Sequence, residues 1–239
     1  MKEEGRHTFN GIRKALKEKE NPKKAQKMKR FFKEDVFYYG VERKDIAQIA
    51  KESYRYYKKN DDFSEAFKMS EKLFSTGIME EATVAVDMLK GFQKKFDLNV
   101  FKSLDKWIDY ISNWAQCDSL CMALIGPIIF YYNSTIEDLM RWAESENLWR
   151  RRASAVSLIY SVKKGRYLEE TFKLAKKLMY DKEDMVQKGV GWLLKEAGGK
   201  FPERVADFLL KHRNNFSRLV LRYSCEKLPL KLKNKILSK

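Results

Sequence analysis

The sequence predicts an all-α protein, and three observations predict it. Breakers are scarce: Pro accounts for 4 and Gly for 11 of 239 residues, whereas an all-β chain needs a Gly/Pro turn every ~8–12 residues. Nearly every segment repeats its apolar residues at helical period, in stretches of roughly 12–20 residues. No alternating run long enough for a sheet stands out, and the tyrosine-rich stretch Tyr54-Arg55-Tyr56-Tyr57 lies inside a Lys/Glu-rich helical pattern.

The elements follow in order. Asn21-Pro22 opens an early helix, with Asn21 as its cap and Pro22 in the first helical position, where a missing N–H costs nothing. Breaks then fall near Gly40, Asn60-Asp61, Gly77, Asp97, Asn113, Asn133-Ser134, Glu146-Asn147, Gly165, Asp181, Gly198-Gly199 and Asn214-Asn215. The longest uncharged run, Ser119 to Ile136, carries Gly126-Pro127 at its middle and ends in Tyr131-Tyr132-Asn133-Ser134. A membrane span needs ~20 mostly apolar residues, so a buried helix broken near Gly126 is expected there. One domain over residues 1–239 is expected.

A repeat emerges when the helices are aligned on the large apolar residues Met79, Trp114, Trp149, Met185 and Phe216, whose spacings are 35, 35, 36 and 31. Periods of this size mean a solenoid of helical hairpins. The expected architecture is a right-handed, C-shaped α-solenoid of about six trimmed HEAT-like helix pairs, with second helices lining a concave face.

The charge balance bears on partners. There are 49 Lys+Arg against 33 Asp+Glu, a formal net charge of +16. Such an excess points to a polyanion, nucleic acid before an anionic membrane surface. A hydrophobic fraction of 44% with 13% aromatics excludes a disordered basic tail. The cysteines Cys117, Cys121 and Cys225 form no disulfide framework and fit a reducing cytoplasm. His7 and His212 are far apart, so neither a clustered metal site nor a histidine-based triad is visible. No Gly-rich phosphate loop is present, and MKEEGRHTFNG has no apolar core for a secretory signal. No metal and no cofactor are expected.

Positions 0, +3, +4 and +7 of each repeat window share a helix face. Three consecutive windows interrupt an apolar face with charge: Trp114, Cys117, Asp118, Cys121; then Trp149, Arg152, Ala153, Val156; then Met185, Lys188, Gly189, Trp192. Two readings stand. One is an internal Asp–Arg pair with core tryptophans. The other is an open cleft lined by a carboxylate, cations and indole rings. In the second reading the carboxylate opposes the positive charge that develops on deoxyribose when an N-glycosidic bond breaks. Indole faces attract cations, and an arginine clamps the neighbouring phosphate.

These residues also carry a resemblance. Asn147-Leu148-Trp149-Arg150-Arg151-Arg152-Ala153, the stretch from Met185 through Gln187-Lys188-Gly189-Val190-Gly191-Trp192 to Glu196, and Trp114-Ala115-Gln116-Cys117-Asp118-Ser119 resemble the W-x-x-R-A, Q-K-A/G-x-G-W and W-x-x-x-D-S patterns of the AlkD-like family of DNA alkylation-repair glycosylases. Asn21-Pro22-x-x-Ala25, Arg222-Tyr223 and Glu226-Lys227-Leu228 match as well, so the likeness runs from about Phe9 to Leu237. The resemblance implies a monomeric, monofunctional glycosylase that removes N3- and N7-alkylated purines from double-stranded DNA without metal. It makes Asp118 the catalytic carboxylate, Trp114 and Trp192 the aromatic walls, and Arg152 a DNA-backbone ligand. Lys188 and Arg151 join Arg152 as expected DNA-binding residues, and Phe31 stands where an aromatic flanks the lesion.

The chain departs from the family pattern twice. Glu42-Arg43-Lys44-Asp45 replaces a Pro-x-x-Arg element after Gly40-Val41, and Asn113-Trp114-Ala115 replaces W-W-D. Trp107, Trp142 and Trp149 are expected in the core. A non-catalytic binder of distorted or branched DNA and a protein–protein scaffold are the competing functions.

Overall fold

The computed structural model describes residues 3–238, with side chains from Gly5 onward, and the chain divides into two compact units, Met1–Leu124 and Ile125–Lys239. Every named element among the described residues is helical. The one β-type contact is an isolated bridge between Phe37 and Ile78.

The first unit holds α1 (Glu3–Arg6), α2 (Phe9–Lys17), α3 (Pro22–Lys29), α4 (Arg43–Lys59), α5 (Phe63–Phe74), α6 (Met79–Lys90), α7 (Leu98–Trp107) and α8 (Trp114–Leu120). Side-chain caps explain where several begin. Asn21 accepts from Lys24 N with Pro22 in the first turn, as the sequence led us to expect, and Asp62, Asp97 and Asn113 cap α5, α7 and α8. Each such cap satisfies a helix N–H that has no partner inside the helix.

Helix α6 is the hub of this unit, packing on α2, α4, α5 and α8. Its Ala82, Val84, Ala85, Val86, Met88 and Leu89 are buried. Trp107 is sealed, with its ring 5.2 Å from Phe67 and 5.4 Å from Phe74.

Two buried carboxylates open α6 and fix the long loop before α4. Glu80 Oε1 accepts from Gly40 N (2.7 Å) and Val41 N (3.2 Å), and Oε2 accepts from Tyr39 N (3.0 Å). Glu81 Oε1 accepts from Arg13 Nε (2.8 Å) and the Tyr39 hydroxyl (2.6 Å). Burial, then the hydrogen bond to Glu81, push the Tyr39 hydroxyl up to about 12. Gly40 is required in the loop: its φ is +84° and an added Cβ would sit 2.1 Å from Asn21 O. The departure at Glu42–Asp45 resolves as a helix start, with Glu42 preceding α4 and its side chain making no cap.

The second unit holds α9 (Gly126–Tyr131), α10 (Ile136–Trp142), α11 (Leu148–Val162), α12 (Leu168–Leu178), α13 (Asp184–Gly198), α14 (Pro202–Lys211), α15 (Arg218–Ser224) and α16 (Leu230–Leu237). Helix α11 packs against α9, α10, α12 and α13, and α13 packs on against α15. Trp142 and Trp149 are buried, as expected of core residues.

Two sequence expectations are refined here. The apolar run is not broken at Gly126-Pro127. Residues 114–131 stay helical through a π turn at Cys121–Ile125, directly before them. Pro127 has no N–H to give the carbonyl four residues back, and Gln93 Nε2 donates to that Ala123 O instead (2.6 Å). The run is long and apolar enough to cross a membrane by length and composition, yet 56% of it is buried inside the protein, as in a core helix. The last repeat opens late: Ser217 caps α15 by accepting from Val220 N, so Phe216 lies before the helix rather than in it.

Candidate active site and nucleic-acid contacts

In the first unit the site residues ride on the start of α8. Asn113 is sealed, and its Oδ1 accepts from Ala115 N and Gln116 N (both 3.1 Å). Gln116 is sealed too, donating from Nε2 to Gly77 O (3.1 Å) and accepting from Ser112 N (3.0 Å). The first turn of α8 is thereby tied to the turn that precedes α6.

Exposure along α8 then follows helix phase. Cys117, Leu120 and Cys121 face the core, while Trp114, Ala115, Asp118 and Ser119 are half-buried. The expected inner stripe therefore splits. Its cysteines are sealed packing residues, and its indole and carboxylate occupy a partly open edge one helical turn apart. Asp118 is not sealed in the core.

The Trp114 ring stacks on Phe32 at 5.1 Å with an interplanar angle of 12°, and Phe32 in turn meets Tyr38 at 6.0 Å. Burial, with the Glu80 charge adding, pushes the Tyr38 hydroxyl up to about 12, so it stays a neutral donor at any physiological pH. Phe31, singled out from the sequence, is 71% exposed. It is the adjacent Phe32 that supports Trp114. Phe32 was missed because residues 30–42 carry no helical period from which a side chain's direction can be read.

In the second unit the expected residues take three different environments. Arg152 is only 5% exposed, donates through Nη1 to Met185 O, and lies against α13. A Cβ added at Gly189 would stand 3.4 Å from its Cγ. Arg151 spends its guanidinium within the protein, with Nε on Asp181 Oδ2 (2.6 Å) and Nη1 on Ser145 O and Glu146 O (both 2.9 Å). Lys188 is half-buried and makes no ion pair among the described residues.

Met185, Lys188, Trp192 and Lys195 share one partly open stripe of α13, and from Gly189 onward the rest of the helix is buried. The Trp192 indole donates from Nε1 to Glu196 Oε1 (3.3 Å), and Glu196 Oε2 accepts from Lys227 Nζ (2.6 Å). Burial raises the Glu196 carboxyl, but the Lys227 hydrogen bond and charge outweigh it and hold the group below its ordinary value. Glu196 was legible only as the end of a motif; its place one turn after Trp192 is the signal that could have shown it as the ring's anchor.

No group of three or more metal-ligating side chains occurs among the described residues. In the first unit α8 supplies a half-open carboxylate and a stacked indole; in the second unit α13 supplies an indole held by Glu196 and an ammonium group, Lys188, with no ion pair among the described residues. These are groups suited to opposing a developing cation and to holding phosphate.

Comparison with known proteins places the chain in a family. Residues 12–228 match the family described as DNA alkylation repair enzyme. A predicted DNA alkylation repair enzyme from Enterococcus faecalis superposes with a TM-score of 0.79 at 17% identity, covering 89% of this chain and 98% of that one. AlkD2 from Streptococcus mutans gives 0.57 at 22% identity, covering 77% and 89%. The smu.31 protein from Streptococcus mutans UA159 gives 0.55 at 22%, covering 80% and 91%. At these identities the likeness shows a shared helical-repeat fold. No curated protein matches the chain.

Proposed function

The chain belongs to the DNA alkylation repair enzyme family, and on that premise we propose that it is a monofunctional glycosylase that excises N3- and N7-alkylated purines from duplex DNA. The observation that carries the proposal is Asp118: a carboxylate on the half-open edge of α8, one turn after an indole that Phe32 holds by stacking.

The chemistry follows from the substrate. An N7- or N3-alkylated purine carries a positive charge, so it leaves with the electron pair of the C1′–N bond and needs no strong general acid. Charge then develops on the deoxyribose. Asp118 opposes that charge, and it orients the water whose oxygen bonds to C1′; the proton released passes to the carboxylate or to solvent. Trp114 offers its ring face to the same cation, worth ~0.5–2 kcal/mol. In the second unit Lys188 serves DNA phosphate, and Trp192 is a ring fixed by Glu196. Arg151 on Asp181 and Arg152 on Met185 O also hold the second unit together, so in this reading they reach DNA phosphate only through their remaining donors and Lys188 shares the phosphate role.

The test is release of 7-methylguanine and 3-methyladenine from methylated duplex DNA by the original protein and by Asp118→Asn. Asn is nearly isosteric but carries no charge and cannot act as a base. Excision should fall by ~10²–10³ with DNA affinity retained. Equal release by the two proteins makes the carboxylate structural. No release by either identifies a non-catalytic DNA binder.

A further inference from the structure

We propose a second polynucleotide-binding site, on the second unit, where the end of α9 meets the turn between α11 and α12. Two cations there sit against a cluster of three aromatic rings. Lys164 Nζ lies 4.6 Å from the Tyr160 ring centroid and 5.3 Å from that of Phe130. The Arg166 guanidinium lies 4.8 Å from Phe130 and 5.0 Å from Tyr167. Phe130 is common to both cations and meets Tyr160 edge-on at 6.0 Å.

The arrangement is preorganised. Arg166 Nη1 donates to Phe130 O (2.6 Å), and the Tyr167 hydroxyl donates to Ile129 O (3.3 Å). Tyr167 itself adopts a left-handed backbone, φ +62°, which a bulky residue holds only where its surroundings impose it. Capping the α9 carbonyls accounts for one edge of Arg166 alone. It does not account for Lys164, nor for the lack of an acidic partner: among the described residues Lys163, Lys164 and Arg166 form no ion pair with a carboxylate. Beside them Tyr131 is 73% exposed, its ring held edge-on to Phe130 at 5.1 Å.

Cations fixed on rings and left without counter-charge suit phosphates. An exposed ring next to them suits an unpaired base, since every base has a face to stack. The occupant is therefore a DNA strand with an unstacked nucleotide on Tyr131 and its flanking phosphates on Lys164 and Arg166. The inference rests on DNA as the partner and not on the excision chemistry, so failure of the glycosylase reading leaves it standing.

The experiment measures binding of the full chain to a blunt duplex and to the same duplex with a single-stranded tail, between about 50 and 200 mM salt. Lys164→Gln should flatten the log–log salt slope on the tailed duplex by about 0.9, the value of one phosphate contact on duplex DNA, or about 0.7 if the phosphate lies in the single strand. Tyr131→Ser should weaken the tailed duplex about fivefold or more and leave the blunt duplex unchanged. Both side chains are exposed, so the melting temperatures should match that of the original protein. An unchanged slope in Lys164→Gln, or an equal loss on the two DNAs in Tyr131→Ser, overturns the site.

Discussion

Helices α8 and α11 start alike and finish in opposite environments. Each has an asparagine cap followed by tryptophan: Asn113 accepts from Ala115 N and Gln116 N, and Asn147 from Trp149 N (2.8 Å). In α8 the tryptophan is half-buried against Phe32 and the charged residue four positions on, Asp118, is half-open. In α11 the tryptophan is buried and the charged residue three positions on, Arg152, is sealed. The repeat period sets the phase of a helix but not how many neighbours surround it. Helix α11 is enclosed by α9, α10, α12 and α13, and every residue from Arg152 to Ile159 is buried. The tryptophan position and the fourth position after it thus form a partly open edge in α8, at Trp114 and Asp118, and packing contacts in α11, at Trp149 and Ala153.

The largest expected effect separates the two ends of that comparison. Asp118→Asn should remove ~10²–10³ of the excision rate with a smaller loss of stability than Arg152→Ala gives, because Asn keeps the size and polarity of the half-open side chain. Arg152→Ala should do the reverse. It removes a buried guanidinium that donates to Met185 O and leaves a gap beside Gly189, and a hydrogen bond from a charged group contributes ~1.5–3 kcal/mol. Urea unfolding checks it. If stability holds while affinity for every DNA sequence falls alike, Arg152 faces phosphate and the contrast between α8 and α11 fails.

Much of this was legible beforehand. Apolar period and capping residues located nearly every helix, since both are local: Asn21-Pro22, Asp97, Asn113 and Asn147 each act within three residues of themselves. The family patterns located Asp118 and Trp192 for the same reason. What was not legible depends on partners far along the chain. Gln116 on Gly77, Glu80 on the Tyr39–Val41 backbone, and Lys227 on Glu196 join residues 31 to 41 positions apart. The partners of Arg151 and Arg152 were also hidden, although an inward-facing Arg152 was one of the two readings of the repeat face. A run of three arginines reads as a basic surface, and only Asp181 and the carbonyls of Ser145, Glu146 and Met185 show how two of them are used.

A smaller effect sharpens the picture of the α8 edge. Phe32→Ala removes a stacked ring worth ~0.5–1.5 kcal/mol, so Trp114 should lose its fixed pose and excision should slow by about two- to tenfold. Phe31→Ala, removing a ring that is already exposed, should slow excision less, and its effect should appear in DNA affinity. A steeper loss of rate in Phe31→Ala than in Phe32→Ala would restore the assignment first made from the sequence.

The smallest expected effect concerns the corresponding edge of α13, where Glu196 holds Trp192. The folded protein keeps the Glu196 carboxyl below its ordinary value of 4.5, with Lys227 outweighing burial. A depressed carboxyl contributes stability that is fully present above the unfolded value and is lost as pH falls through the folded one. Glu196→Gln removes the charge but keeps an oxygen to accept from Trp192 Nε1, so it isolates the ion pair from the ring's anchoring. Lys227 is partly exposed, which limits the pair to about 1 kcal/mol or less. The stability gap between the original protein and Glu196→Gln should therefore be constant from neutral pH down to about 4.5 and should narrow below it. Two stability curves that stay parallel through that acid range would show that Lys227 contributes nothing through charge. Trp192 would then be held by shape and a neutral hydrogen bond, as Trp114 is held by Phe32, and the two edges would differ less than their sequences do.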